Sequence, residues 1–409
     1  MTTSRPTPGS QTSLREANRA RIVDAVKLHG GLTQVELVGA TGLSPATVSN
    51  IVKELAAQGI LNTTQSTRSG RRAQFVTLAH ELGLVGGVHI AQRHLRVVIA
   101  DVAQQVVAEH HLPLAKDHRA DAELGRLARM FADMFESLDT DLSEMLAVGV
   151  AIEAPIDKRT GLISRPGIMR GWDGVNVSES LGEALNCRVF VDNNCNLGAL
   201  AEYRRGAARR RGDMIYINVS EGIGAGIVLG GKVWRGHHGI AGELGHVTVD
   251  EQGPLCRCGK RGCLEMYVGA SAIIEPLRSD RRGLKLQDVV SRAVGGEARF
   301  VRAIADVGHL IGVATADLCN ILDPERVVVS GDLANAGEIL LGPLRHTLER
   351  SLLVAPENAP EVIQGQLGNR AEVLGAVSYA IDQLSVLTDS AVSDSKQRAH
   401  TTHTKAVAS

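Results

Sequence analysis

The spacing of apolar residues divides the chain into a short helical segment and a long segment of alternating strands and helices. Residues 14–29 place Ile22, Ala25, Val26 and His29 on one helical face and stop at Gly30-Gly31. Thr33 stands three positions before Glu36, the capping-box spacing that opens a second helix through about Ala40. Gly42 makes the turn, and Ser44-Pro45 sets a hydroxyl at the N-cap and a proline at the first helical position. Val48, Ile51, Val52 and Leu55 then recur at i, i+3, i+4 and i+7, so this face of the third helix packs inward. Its other face shows Thr47, Ser49, Asn50 and Lys53. An extended pair follows, broken at Ser69-Gly70-Arg71-Arg72.

From Leu82 onward the period changes. Leu84 to Ala100 contains two strand-like runs joined at Gln92-Arg93-His94, and Ala120 to Leu138 is helical in pattern. Met145 to Ile152, Val189 to Val191, Met214 to Val219, Ala225 to Leu229 and Val327 to Ser330 read as buried strands. Strand and helix in alternation predict a layered α/β domain.

Composition narrows the possibilities. The chain has 409 residues, enough for two or three domains, with 44% hydrophobic against 22% charged residues. No run of eighteen apolar residues predicts a membrane span, and the polar start MTTSRPTPGSQTS has no signal-peptide core, so the expectation is a cytoplasmic protein. Residues 1–13 and the Ser/Thr/Ala-rich residues 386–409 read as disordered. Net charge is −1, yet residues 1–80 hold nine Lys and Arg against four Asp and Glu. With a helix, a Gly turn, a helix with small polar residues outward and a basic hairpin, residues 14–82 read as a winged helix-turn-helix for double-stranded DNA. The candidate groove contacts are Ser44, Thr47, Ser49, Asn50 and Lys53, with Arg71 and Arg72 at the wing.

The densest chemistry lies in Ala241 to Glu265. Cys256, Cys258 and Cys263 share one glycine-rich loop with His246 upstream. In a reducing compartment such spacing reads as a zinc site rather than disulfides. Glu243 and Glu265 flank it, and carboxylates beside a metal-fixed imidazole suit a polyhydroxylated ligand. Cys187, Cys195 and Cys319 read as small core residues, and Trp172 as either a sugar platform or a packing residue.

Two runs carry a resemblance. VSEGIGAGIVLGGKVWRGHHGIAGELGH and CRCGKRGCLE resemble the signature and the zinc loop of the ROK family of sugar kinases and regulators. The resemblance spans 83–385. It implies an actin-like fold of two α/β lobes, about 83–192 with a return at 370–385, and about 193–369. It further implies zinc at His246, Cys256, Cys258 and Cys263, and sugar contacts from Asn193, Glu243, His246 and Glu265. A winged helix in front is the arrangement of the family's repressors.

The departures from the family pattern bear on function. Where the kinases carry the general base, this chain has Asn194, whose amide cannot take a proton at neutral pH but can still bond a hydroxyl. The first phosphate loop falls on His89-Ile90-Ala91-Gln92-Arg93, without its acidic residue or its glycines, and Glu221 stands in the second. With base, metal anchor and phosphate cradle all changed, the expectation is a sugar-responsive regulator without kinase activity. It would act as a homodimer or homotetramer on an inverted-repeat operator and respond to a sugar or sugar phosphate. Residual ATP-dependent kinase activity, or control by a protein partner, are the alternatives.

Overall fold

The computed structural model describes residues 11–68, 71–278 and 283–384. Side chains of residues 11, 12, 66–68, 71 and 72 fall outside that description, as do 1–10 and 385–409. The predicted disorder of the two ends and the side chains of Arg71 and Arg72 therefore lie outside the described residues.

The N-terminal unit contains α1 (Gln11–His29), β1 (Leu32–Thr33), α2 (Gln34–Thr41), α3 (Pro45–Ala57), β2 (Leu61–Arg68) and β3 (Arg71–Leu78), with sheet order β1-β3-β2. Helix α1 starts at Gln11, so residues 11–13 are helical rather than part of a disordered leader. A polar first turn carries no apolar period and is invisible to a pattern of buried positions. Both predicted caps form. Thr33 and Glu36 satisfy each other's backbone amides, and the Ser44 hydroxyl accepts from Thr47 N at 3.2 Å. Gly42 closes α2 in the left-handed region, with φ of 68°. Val48, Ile51, Val52 and Leu55 are buried, while Ser44, Asn50 and Lys53 are exposed and Thr47 and Ser49 half-buried.

Two lobes follow with one strand plan. The first holds β4 (Leu84–Ile90), β5 (His94–Asp101), β6 (Val106–Pro113), α4 (Ala120–Ser137), β7 (Met145–Ile152), α5 (Val177–Leu185) and β8 (Arg188–Asn193). After α6 (Asn194–Arg205), the second holds β9 (Met214–Val219), β10 (Ile223–Leu229), β11 (Lys232–Val233), α7 (Glu265–Val268), α8 (Ala270–Leu277), α9 (Leu286–Val294), α10 (Ala298–Leu322), β12 (Arg326–Ser330), α11 (Glu338–Ser351) and β13 (Glu361–Gln364). The sheet orders are β6-β5-β4-β7-β8 and β11-β10-β9-β12-β13. In each, a three-stranded antiparallel meander is extended by two parallel strands. Helix α10 is long and apolar enough to cross a bilayer, but Phe300, Ile304, Val307 and Ile311 build the second lobe's core.

The last helix, α12 (Ala371–Gln383), returns to the first lobe. It lies so close that a Cβ on Gly149 of β7 would reach within 1.9 Å of the Ala376 carbonyl. On its other side a Cβ on Gly375 would come within 1.9 Å of the Leu197 carbonyl in α6. Helices α6 and α12 thus cross at backbone contact, which only glycine permits.

The winged helix is joined to the first lobe by one apolar core. Ile22, Val26, Leu37 and Leu55 pack in the same cluster as Val85, Val98, Val377 and Ile381. Polar ties reinforce the seam. Lys27 Nζ donates to the Leu384 carbonyl at 2.5 Å, His80 Nδ1 meets Asp101 Oδ2 at 2.6 Å, and Arg210 Nη2 donates to the His29 carbonyl at 2.5 Å.

Candidate functional site

The cleft between the lobes encloses about 490 Å³ of space that opens to solvent. Asn193, Asn194, Glu243, His246 and Glu265, all expected at the site from the sequence, line it together. Residues 153–155, Asn218, the 222–225 turn and Arg257 complete much of the wall.

The N-terminus of α6 brings in the two asparagines, and their roles differ. Asn193 caps the helix: its Oδ1 accepts from Cys195 N at 2.8 Å and Asn196 N at 3.3 Å, and its Nδ2 donates to the Ala154 carbonyl. One amide hydrogen is left for a ligand. Asn194 is 6% exposed, and among the described residues its side chain has no hydrogen-bond partner. Glu243 likewise has none, and burial, with Glu265 nearby, pushes its carboxyl up to about 7.

Four donor atoms gather on the loop beside the cleft. One ligand atom each from His246, Cys256, Cys258 and Cys263 lies within 4.8 Å of all the others. Cys258 Sγ to Cys263 Sγ and Cys256 Sγ to His246 Nδ1 are both 3.6 Å. Tetrahedral zinc with bonds of about 2.0–2.3 Å needs ligand separations near this size, so the donor set fits the ion. Burial and the neighbouring cysteines push the Cys263 thiol up to about 12, the behaviour of packed thiols that need a cation to ionise. The loop closes through Gly262, with φ of 60°, where a Cβ would collide with the Asp250 carbonyl. His246 Nδ1 lies 3.6 Å from Cys256 Sγ and 3.6 Å from Glu265 Oε2, so metal bound at one ring nitrogen would leave the other for a ligand.

Sequence reasoning missed Glu153 and Arg257. Glu153 follows β7 and accepts from Gln92 N at 2.8 Å, at the end of the neighbouring β4. Arg257 sits between two metal-loop cysteines, donating to Glu265 Oε1 at 2.6 Å and to the Ile168 carbonyl at 3.0 Å. Its place between Cys256 and Cys258 was the available signal. Glu153 offered none, because only the parallel pairing of β4 with β7 aims it at the cleft. Trp172 is wholly buried and donates to His118 Nδ1 at 3.3 Å, so it packs the first lobe and is no sugar platform. Cys319 is a core residue and Cys187 borders the core, whereas Cys195 also lines the cleft.

Burial pushes the Glu153 carboxyl up from 4.5 to about 7. A raised carboxyl pKa means the folded state holds the proton more tightly. Its stabilising contribution is therefore full below about pH 4.5 and is lost as pH rises through 7. Thermal melts of ligand-free protein should show a loss on the order of 3 kcal/mol from this group between pH 5 and 8. Glu153→Gln should flatten that part of the profile; an unchanged profile in the variant would show that Glu153 is not the group responsible.

From the cleft, α6 runs about 18 Å toward the winged helix. At its far end Arg204 pairs with Asp382 through two bonds of 2.8 and 3.0 Å, and Arg205 donates to the Gln104 carbonyl at 3.2 Å. Buried Glu202 accepts from Ala207 N, Gln366 N and Leu367 N, fixing the turn that carries Arg210 to His29.

Comparison with known proteins agrees with this architecture. Residues 85–383 match the ROK family, and residues 16–73 match the MarR family. The xylose repressor of Bacillus subtilis is 25% identical over 378 residues, covering 91% of this chain and 97% of the repressor. The DNA-binding transcriptional dual regulator NagC of Escherichia coli is 27% identical over 389 residues, covering 90% and 94%. Among solved structures, a ROK family transcriptional regulator homologous to E. coli Mlc superposes with a TM-score of 0.73 at 21% identity, over 90% of this chain and 97% of that one. With that match running from the first strand of the two-lobed body to its last helix, the chain belongs to the ROK family and carries a MarR-like winged helix at its front.

Proposed function

We propose that this protein is a sugar-responsive, DNA-binding repressor that retains a zinc-braced sugar cleft and does not phosphorylate what it binds. The observation that carries this reading is the path of α6, which begins at Asn194 in the cleft and ends at the residues that hold α1 of the winged helix. The relatives named as xylose and N-acetylglucosamine repressors support it, because the likeness covers both the winged helix and the cleft-bearing lobes.

In this reading His246, Cys256, Cys258 and Cys263 hold zinc, which supplies structural bracing for the cleft wall. Asn194, Glu243 and Glu265 offer hydrogen bonds to sugar hydroxyls, with the remaining Asn193 amide hydrogen and the free His246 ring nitrogen beside them. Asn194 cannot act as a base, so a bound hydroxyl keeps its proton. Paired winged helices of a homodimer or homotetramer present α3 to an inverted-repeat operator through Ser44, Thr47, Ser49, Asn50 and Lys53. Arg71 and Arg72 reach the backbone or minor groove at the wing. Of these, Ser44 is the least free, since its hydroxyl is engaged with Thr47. A sugar that binds one arrangement of the lobes better than the other shifts the spacing of the two DNA-binding units.

The test is operator binding at fixed salt, titrated with free and phosphorylated sugars. A shift of about tenfold with one sugar, about 1.4 kcal/mol of coupling, identifies the effector. Tight DNA binding that no sugar alters would refute the sensing role and favour a protein partner. The α3 face is tested separately. Lys53→Ala should weaken binding evenly across sequences and reduce the salt slope by about 1, while Asn50→Ala should cost about 1–3 kcal/mol and relax preference at one base pair. Equal, sequence-independent losses from both variants would remove Asn50 from base readout.

A further inference from the structure

The charge around the cleft is one-sided. Its lining carboxylates are Glu153, Glu243 and Glu265, and its one lining guanidinium, Arg257, is committed to Glu265 and to the Ile168 carbonyl. The cations next outward, Arg93 and Lys116, face Glu221, with Arg93 Nε 3.8 Å from its carboxylate. None of the lining residues offers an uncommitted positive charge to a ligand, and the exposed Lys116 and Arg165 stand outside that lining.

Glu153 and Glu265 bring carboxyl groups to the cleft from opposite lobes, the first and the second, and both approach the turn at Gly222. A Cβ placed on Gly222 would lie 3.7 Å from Glu153 Oε1 and 3.2 Å from Glu265 Oε1. Glu153 also occupies backbone hydrogen-bonding capacity that an anion would need. Gln92 N donates to its Oε2 at 2.8 Å and Gln92 Nε2 to its Oε1 at 3.3 Å. The carboxylate thus takes up, inside the protein, the amide that a phosphate oxygen would seek. Opposite it, the buried and unpartnered Asn194 side chain and the unpartnered Glu243 carboxyl are suited to donors and acceptors of uncharged hydroxyls.

We propose that this cleft takes an unphosphorylated sugar and that Glu153 is the residue that excludes the phosphate ester. The proposal rests on the sugar-binding reading above. A hydroxyl can donate to each of these carboxyl groups, whereas a phosphate dianion only accepts: it finds the Gln92 amide already taken by Glu153 and meets like charge wherever a carboxyl is ionised. Exclusion by repulsion is as effective a source of selectivity as added attraction.

Calorimetric titration of the full-length protein at constant ionic strength decides the matter. The probes are matched pairs: glucose and glucose 6-phosphate, N-acetylglucosamine and its 6-phosphate, xylose and xylose 5-phosphate. In any pair that binds, the free sugar should bind at least tenfold more tightly than its phosphate. Glu153→Gln, which can still accept from Gln92 N, should narrow that ratio at least tenfold. A phosphate that binds as tightly as its free sugar, or more tightly, in the unaltered protein overturns the proposal while leaving the sugar cleft intact. An unchanged ratio in a folded Glu153→Gln protein overturns the role of Glu153. Silence from all six probes overturns the sugar reading itself, and the proposal falls with it.

Discussion

On the proposed reading, Cys258→Ser should release the metal and abolish the sugar response in one step. Within the 247–264 loop, the only strand-like pairings among described residues are single bridges, Thr248 with Cys263 and Leu255 with Arg261. Backbone hydrogen bonds, among them Val249 N to the Gly262 carbonyl and Cys256 N to the Lys260 carbonyl, shape its turns, and a metal held by His246, Cys256, Cys258 and Cys263 would cross-link them. Metal affinity should fall by more than about a hundredfold, because even partners that merely orient ligands are worth about 10–100-fold. His246 and Glu265 sit at the two ends of this loop and also line the cleft, so losing the cross-link disorders the sugar wall with it. Metal analysis should give one zinc per chain in the unaltered protein and none in the variant. Chelation of the unaltered protein should reproduce the defect in operator release. A variant without metal that still responds fully to sugar would show that the loop is held by something else.

Arg210→Ala separates sensing from response. This side chain reaches from the turn after α6 to the last carbonyl of α1, and burial lowers its guanidinium pKa to about 10. A half-buried arginine donating to a helix C-terminus is a strong tie, since charge-assisted hydrogen bonds are roughly twice as strong as neutral ones. Without it, sugar still enters a cleft about 18 Å away along α6, while the winged helix no longer follows that helix. Calorimetry should show sugar affinity close to that of the unaltered protein. The shift in operator affinity should fall from about tenfold to under about twofold. A preserved shift would mean that α12, through Arg204–Asp382 and Lys27–Leu384, suffices for coupling.

Much of this design could be read from local patterns. The caps at Thr33 and Ser44 involve residues three apart, so the sequence alone specifies them, and the structure forms both. The Cys-x-Cys loop is likewise short enough for spacing to imply convergence, and its four donors do gather. Where the determining contact is distant, local pattern is silent. Glu153 enters the cleft because β4 and β7 pair in parallel, and Trp172 is buried because His118, 54 positions away, receives its N–H. Asn193 was visible as a cleft residue but not as a helix cap, since its capping depends on where β8 stops and α6 begins. The polar start of α1 carried no signal at all.

The single core shared by the winged helix and the first lobe bears on how such a chain can change over generations. Ile22, Val26 and Leu55 belong to one apolar cluster with Val85, Val98 and Ile381, and α1 of the winged helix packs on α12. A winged helix transplanted without the matching face of α12 would carry a bare apolar seam, so the two must be moved together. Asn50 and Lys53 lie on the opposite, exposed side of α3 and take no part in that seam. If these residues read the operator as proposed, substitutions there would redirect the protein to new operators while its response to sugar stayed as it was, leaving the two specificities free to drift apart in separate lineages.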